Sequence, residues 1–279
     1  AEAYRLNIEK NRIKIEAGDI QGVNHGLASL LQLIMTAKDA QLPVLTIQDK
    51  PAFGYRGLML DCARHFWTVD ELKETLDHIA FFKLNTLHMH LTDNQAWRLS
   101  MDKYPDLVKE GTYYYDFPEL SGKYYSKEDL KEIVTYAGTR GIEIIPEVDL
   151  PGHSIALLAA LPELSCRGGK FEATPEERDW NKRKRGNENM ICIGNPQSFA
   201  FAEDVIDALI EIFPSQYIHF GGDEVPTDIW EECPKCMALY KREGMKSPGE
   251  IQDYFTRKMS DLIRSKGKIM IGWGEINDR

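Results

Sequence analysis

Apolar residues alternate with polar ones over Tyr4–Glu9 and Arg12–Glu16, the spacing of two half-buried strands joined by a polar turn. A helical period follows over Ile20–Met35, and Val44–Gln48 returns to alternation. Residues 1–50 therefore predict a small ββαβ piece. About fifty residues rarely bury enough surface to stand alone, so this piece belongs to a larger domain or covers the next one. From Tyr55 the texture changes to apolar strands alternating with amphipathic helices. Strands are predicted at Gly57–Ala63, Thr86–Thr92, Ile142–Asp149, Tyr217–Asp223 and Lys268–Gly274. Helices are predicted at about Val69–Leu84, Lys127–Arg140, Ser198–Phe213 and Pro248–Lys266. Thr68 with Glu71 and Ser247 with Glu250 have capping-box spacing, Ser126 and Asn195-Pro196 read as helix starts, and Gly141 and Gly267 as stops.

Strands separated by helices mean parallel βα units covered on their outer face. A doubly wound sheet and a (β/α)8 barrel both satisfy that pattern. The polar residues favour the barrel, because every predicted strand carries them at or just past its C-terminal end: Asp61 and Arg64, Asp93, Glu147 and Asp149 with His153, Asp223 and Glu224, then Trp273 and Glu275. Barrel enzymes assemble their sites from several strand ends, whereas a doubly wound sheet binds at one switch point. No glycine-rich phosphate loop follows the first of these strands.

Composition narrows the function classes. The 279 residues are 43% hydrophobic, with 34 Lys+Arg against 44 Asp+Glu and a formal charge of −10. Such a chain buries a core, which excludes disorder, and its acidity argues against nucleic-acid or anionic-membrane partners. No apolar run approaches the ~20 residues of a membrane span, and Ala1-Glu2-Ala3-Tyr4-Arg5 has no signal-peptide character. The basic run Lys182-Arg183-Lys184-Arg185, beside Glu176, Glu177 and Asp179, reads as a solvated loop.

The strongest local signal for chemistry is His219-Phe220-Gly221-Gly222-Asp223-Glu224. Paired glycines permit a tight turn where a strand meets its loop, so two neighbouring acids can both face a pocket. Carboxylates at a barrel mouth suggest glycoside hydrolysis, but a retaining pair stands ~5–5.5 Å apart on either side of the bond being broken. Adjacent acids can hardly straddle a sugar, so if Glu224 is the acid, Asp223 has another task.

Four runs carry a family resemblance: Tyr55-Arg56-Gly57-Leu58-Met59-Leu60-Asp61-Cys62-Ala63-Arg64-His65-Phe66, His88-Met89-His90-Leu91-Thr92-Asp93, Pro146-Glu147-Val148-Asp149-Leu150-Pro151-Gly152-His153, and the Gly-Gly-Asp-Glu run. In this order and spacing they resemble the family 20 glycoside hydrolases, the β-N-acetylhexosaminidases. The resemblance implies an α/β fold: residues 1–50 as the C-terminal part of a small accessory domain, and 51–279 as the first five units of a (β/α)8 barrel. It implies release of terminal β-linked N-acetylglucosamine or N-acetylgalactosamine from chitooligosaccharides or glycoconjugates, with retention, by substrate-assisted catalysis through an oxazolinium intermediate and without a cofactor.

By the same resemblance Glu224 is the general acid and then base, and Asp223 orients the 2-acetamido group. These tasks need Glu224 protonated near neutral pH and Asp223 ionised. Arg64 would bind the sugar's 3- and 4-hydroxyls, Trp273 would enclose the acetamido methyl, and Asp93 with His153 would stand behind the acid. A disaccharide-releasing relative and a non-catalytic sugar-binding fragment are the alternatives, the latter because strands six to eight are not in this chain. Another segment or a second chain would have to supply them.

The remaining signals are secondary. His88 and His90 have the His-x-His spacing with which metal-dependent hydrolases begin a ligand set, but Asp93 and Glu224 are the only obvious oxygen ligands, no lysine or second histidine pair appears at a later strand end, and no metal is expected. Cys233-Pro234-Lys235-Cys236 is a single pair, too few for a four-coordinate zinc site, and reads as a loop staple or two thiols. Cys166 and Cys192 bracket the loop after the third of the five strands, where a disulfide would suit an extracytoplasmic enzyme. Tyr113-Tyr114-Tyr115 and Tyr124-Tyr125 read as loop packing ahead of an extended sugar surface.

Overall fold

A computed structural model describes residues 1–114, 116–173 and 190–277. Tyr115 and the run from Lys182 to Arg185, with its acidic neighbours Glu176, Glu177 and Asp179, lie outside the described residues. In chain order the elements are β1 (Tyr4–Glu9), β2 (Arg12–Ala17), α1 (Ile20–Thr36), β3 (Leu45–Asp49), β4 (Gly57–Asp61), α2 (Val69–Phe81), β5 (Thr86–His90), α3 (Asp106–Lys109), α4 (Lys127–Thr139), β6 (Glu143–Glu147), α5 (Ile155–Ala160), α6 (Pro196–Ile212), β7 (Tyr217–His219), α7 (Asp228–Glu232), α8 (Pro234–Arg242), α9 (Gly249–Ser265) and β8 (Ile269–Ile271). They form two sheets, one ordered β2-β1-β3 and one ordered β4-β5-β6-β7-β8, with β6–β7 and β7–β8 parallel. The chain clusters into two compact units: Ala1–Met59, Trp67–His88 and Glu132–Ile144 form the first, Leu60–Phe66, Met89–Lys131 and Ile145–Arg279 the second.

In the first unit the alternation of β1 decides its packing. Tyr4, Leu6 and Ile8 are buried, while the intervening positions face outward. β1 pairs antiparallel with β2, Tyr4 opposite Ala17, and with β3, Tyr4 opposite Asp49. Helix α1 starts at Asp19, whose carboxylate accepts the Gly22 N–H at 2.8 Å, and it lies against β1 and β2. Helix α2 opens with the full Thr68–Glu71 capping box and buries Leu72, Leu76 and Ile79.

In the second unit, α6 buries Phe201, Val205, Ile206 and Leu209, and α9 buries Ile251, Phe255, Met259 and Ile263 at helical spacing. The two helices meet where the Phe199 ring approaches Tyr254 and Phe255. Asn195 caps α6 by accepting the Gln197 N–H, as its Asn-Pro start predicts. The Ser247–Glu250 box is only half made. Glu250 accepts the N–H groups of Lys246 and Ser247, but Pro248 is the cap residue and no side chain caps there. Strands β7 and β8 have three residues each, shorter than their apolar runs, and α3, α5, α7 and α8 lie in segments whose apolar residues have no long periodicity. Among the described residues no helix is long and apolar enough to cross a membrane.

Candidate active site

The end of β7 is shaped by backbone. After His219 the chain leaves the strand because Gly221, Gly222 and Glu224 have φ of 60°, 94° and 49°. That region is open to glycine and costs other residues ~1–3 kcal/mol. A Cβ at Gly221 would collide with the Asp149 carboxyl. The Gly222 N–H donates to Asp149 Oδ1 at 3.0 Å, and the Gln252 amide donates to the Gly222 carbonyl at 2.7 Å. With the turn pinned on both sides, the two following acids diverge. The Asp223 side chain is 23% exposed and that of Glu224 76%.

Both acids approach one imidazole. His153 Nε2 lies 3.5 Å from Asp223 Oδ2 and 3.7 Å from Glu224 Oε2, while its Nδ1 lies 3.1 Å from Asp93 Oδ1. His153 is itself a left-handed residue, φ 49°. Asp93, almost wholly buried, is the hub. Its Oδ2 accepts from Arg64 Nη2 at 2.8 Å and His90 Nε2 at 2.9 Å, and its Oδ1 also accepts the Asn94 N–H at 2.6 Å. Arg64 is steered from its other side by Asp61, which holds Nη1 at 2.8 Å and accepts the Arg64 N–H in a local turn.

The charges follow from these contacts. Burial alone would raise the Asp93 carboxyl, but hydrogen bonds from His153 and His90, with their charges, hold it well below the usual carboxylate range. Burial would lower His153; its bond to Asp93 and the charges of Asp93, Asp149 and Asp223 outweigh that and push it up to about 9. His90 is likewise raised despite burial, since its nitrogens face Asp93 and, at 3.0 Å, Glu147. An imidazole between two carboxylates donates from both nitrogens only as the cation. Asp149 moves the other way. Burial first, then the charge of Asp223, push its carboxyl well above the usual carboxylate range.

Trp273 joins the buried end of this network. Its indole N–H donates to Glu147 at 2.8 Å and its ring meets His219 edge-on at 4.8 Å, with His219 Nδ1 3.1 Å from the same Glu147 oxygen. Thus Arg64, Asp93, His153, Asp223 and Glu224 form one connected cluster, and Trp273 reaches it through Glu147 and His90. Sequence reading missed Arg98 and Asn94. Arg98 is buried and donates to the carbonyls of Cys62 and Ala63, fixing the segment that leads to Arg64. Asn94 accepts the Ile155 N–H and contacts His153 Nδ1 at 3.4 Å. A charged residue among the apolar positions that follow Asp93 was the available signal for Arg98. Tyr114 and Tyr125 are buried, in keeping with loop packing, whereas Tyr113 and Tyr124 are exposed.

The cysteines require a correction. Cys166 and Cys192 are not joined in a disulfide; they converge with Cys233 and Cys236, the four sulfurs lying within 4.8 Å of one another. Separations of 3.6–3.8 Å are far beyond the ~2.05 Å of a disulfide. Cys233 and Cys236 are therefore not an isolated pair, because folding supplies a second pair that spacing along the chain could not show. Asp93, Asp149 and His153 also offer three ligand atoms within 4.8 Å. There, Asp93 already pairs with Arg64, His90 and His153.

Comparison with known proteins bears on this cluster. A family model for the catalytic domain of glycosyl hydrolase family 20 matches residues 53–279, and one for domain 2 of the same family matches residues 1–50. A β-hexosaminidase of Porphyromonas gingivalis is 38% identical over 99% of this chain and 36% of its own length. One from Vibrio furnissii is 37% identical over 98% of this chain and 46% of its own. Among solved structures, a family 20 exo-β-N-acetylglucosaminidase of Vibrio harveyi in complex with N-acetylglucosamine superposes with TM-score 0.88 at 36% identity, over 100% of this chain and 45% of that one. A β-N-acetylhexosaminidase from Bacteroides fragilis gives 0.87 at 33%, over 99% and 53%. The chain thus spans about a third to a half of these proteins.

Proposed function

The chain belongs to glycosyl hydrolase family 20, and from that premise we propose that the protein containing it is an exo-acting β-N-acetylhexosaminidase. It releases terminal β-linked N-acetylglucosamine or N-acetylgalactosamine with retention. Residues 51–279 supply the first five units of a (β/α)8 barrel, residues 1–50 end a small accessory domain, and the rest of the barrel comes from sequence outside this chain. The relatives' names support a single-sugar product over a disaccharide.

One observation carries the assignment of roles: two adjacent acids have opposite surroundings, Glu224 extending outward and Asp223 held against His153 and Asp149. Neither can reach the far face of a sugar bound at the other, so the nucleophile comes from the substrate. The 2-acetamido oxygen attacks the anomeric carbon as the glycosidic bond breaks, and Glu224 gives its proton to the leaving oxygen. Asp223 orients the acetamido N–H and offsets the positive charge that develops on it. Water then attacks the anomeric carbon, Glu224 takes a proton from it, and the oxazolinium ring opens. Two inversions leave the β configuration. A guanidinium has five N–H donors, so Arg64, with one on Asp61 and one on Asp93, has others for the sugar hydroxyls. Trp273, positioned by Glu147, walls the acetamido side.

The test is Glu224→Gln in the full-length protein with diacetylchitobiose as substrate. Removing the acid should lower kcat by roughly 10²–10⁴ without altering the melting temperature, since the side chain is exposed. Undiminished turnover would remove Glu224 from the mechanism.

A further inference from the structure

The four converging thiols belong to none of the chemistry above. They come from three separate stretches of the second unit: Cys166 after α5, Cys192 before α6, and Cys233 and Cys236 at the start of α8. Cys192, Cys233 and Cys236 are buried and Cys166 is half-buried. The sulfur separations are 3.8 Å for Cys166–Cys236, 3.7 Å for Cys192–Cys233 and 3.6 Å for Cys192–Cys236. A tetrahedron with Zn–S bonds of ~2.3 Å has edges of about 3.8 Å. We propose that Cys166, Cys192, Cys233 and Cys236 form a structural tetrathiolate site for one zinc ion.

The surrounding backbone is built for such a centre. Four thiolates around a divalent ion leave net negative charge, which backbone N–H groups can offset. The Gly194 N–H points at Cys236 Sγ, at 3.3 Å. This approach needs glycine, because a Cβ at Gly194 would collide with the Lys235 backbone. Cys233 and Cys236 flank the first turn of α8, whose N-terminal end favours anionic sulfur. Buried hydrogen bonds already tie the same stretches: Trp230 donates its indole N–H to the Ile191 carbonyl at 3.1 Å, the Cys192 N–H to Leu164, and the Ile191 N–H to Pro151. The ion would fasten the segment behind His153 to the helices that follow Glu224. Four sulfur ligands in a closed tetrahedron leave no position for water, so its role is to hold structure.

The test is the metal content of the full-length protein, purified without chelator from zinc-supplemented medium. About one zinc per chain is expected, released into a colorimetric indicator by an organomercurial that titrates the thiols. Cys166→Ser and Cys236→Ser should lower bound zinc at least about tenfold, while Cys62→Ser, a buried thiol outside the cluster, retains it. Should the serine variants fail to fold, the wild type exchanged into cobalt decides: a thiolate charge-transfer band with tetrahedral visible absorption supports the site. Wild-type protein below about a tenth of an equivalent of zinc would overturn it. So would stoichiometric iron in place of zinc, or an intact mass lacking the hydrogens lost to a disulfide among these four.

Discussion

The carboxylate–imidazole cluster around Asp93 and the thiol cluster around Cys236 lie in the same compact unit and draw on the same stretches of chain, those after β6 and after β7. They differ in what closes them. In the first, every buried charge answers another: Arg64, His90 and His153 face Asp93, and His90 also faces Glu147. Only Glu224, at its rim, is left extended outward. In the second, four like groups face one another, their sulfurs within 4.8 Å. The charges of the first cluster are balanced by its own side chains; the second, as proposed, is balanced by a metal ion from outside.

Substituting Asp93 should separate the two most strongly. Asp93→Asn strands Arg64, His90 and His153 as buried or half-buried cations without their shared carboxylate, and breaking such a set costs about 3–5 kcal/mol. Denaturant unfolding of the full-length protein should register that loss while its zinc content stays unchanged. A matching loss of zinc would mean that the two clusters form one cooperative device.

A smaller effect comes from pH, with opposite signs for the two. His153 is raised from 6.5 to about 9 by folding, so its stabilisation is fully present below pH ~6.5 and is lost as pH rises through about 9. The contribution is on the order of 3 kcal/mol. Protons compete with zinc for thiolates, so the thiol cluster should instead loosen as pH falls. Melting temperature against pH, with and without a chelator, checks this. Stability of the chelated protein should decline from neutral pH to pH 9.5, and the zinc-dependent increment should shrink toward pH 5. A chelated protein equally stable at pH 7 and pH 9.5 would deny His153 its charged role.

The sequence made the first cluster readable because its chemistry sits in contiguous runs. His88–Asp93, Pro146–His153 and His219–Glu224 each end a strand, and strand periodicity predicts that such ends converge. What it could not supply were the distances, hence Asp93 as hub, the raised carboxyl of Asp149, and Arg98 behind Arg64. The left-handed glycines Gly221 and Gly222 also end the regular pattern earlier than the apolar run suggests, so β7 stops at His219 where the run continued to Asp223. The thiol cluster was hidden for the converse reason. Its residues are spread from Cys166 to Cys236 and only one pair is close in sequence, so spacing suggested a staple or two thiols there, where folding gathers four free thiols.

Catalysis as proposed makes the substrate's own acetamido group the nucleophile opposite Glu224. The direct measurement is kcat/KM of the full-length protein on 4-nitrophenyl N-acetyl-β-glucosaminide against the 2-hydroxy analogue, 4-nitrophenyl β-glucoside. Loss of the internal nucleophile should lower the value by at least about three orders of magnitude, since positioned intramolecular groups act at very high effective concentration. Comparable rates on the two glycosides would rule out the acetamido nucleophile.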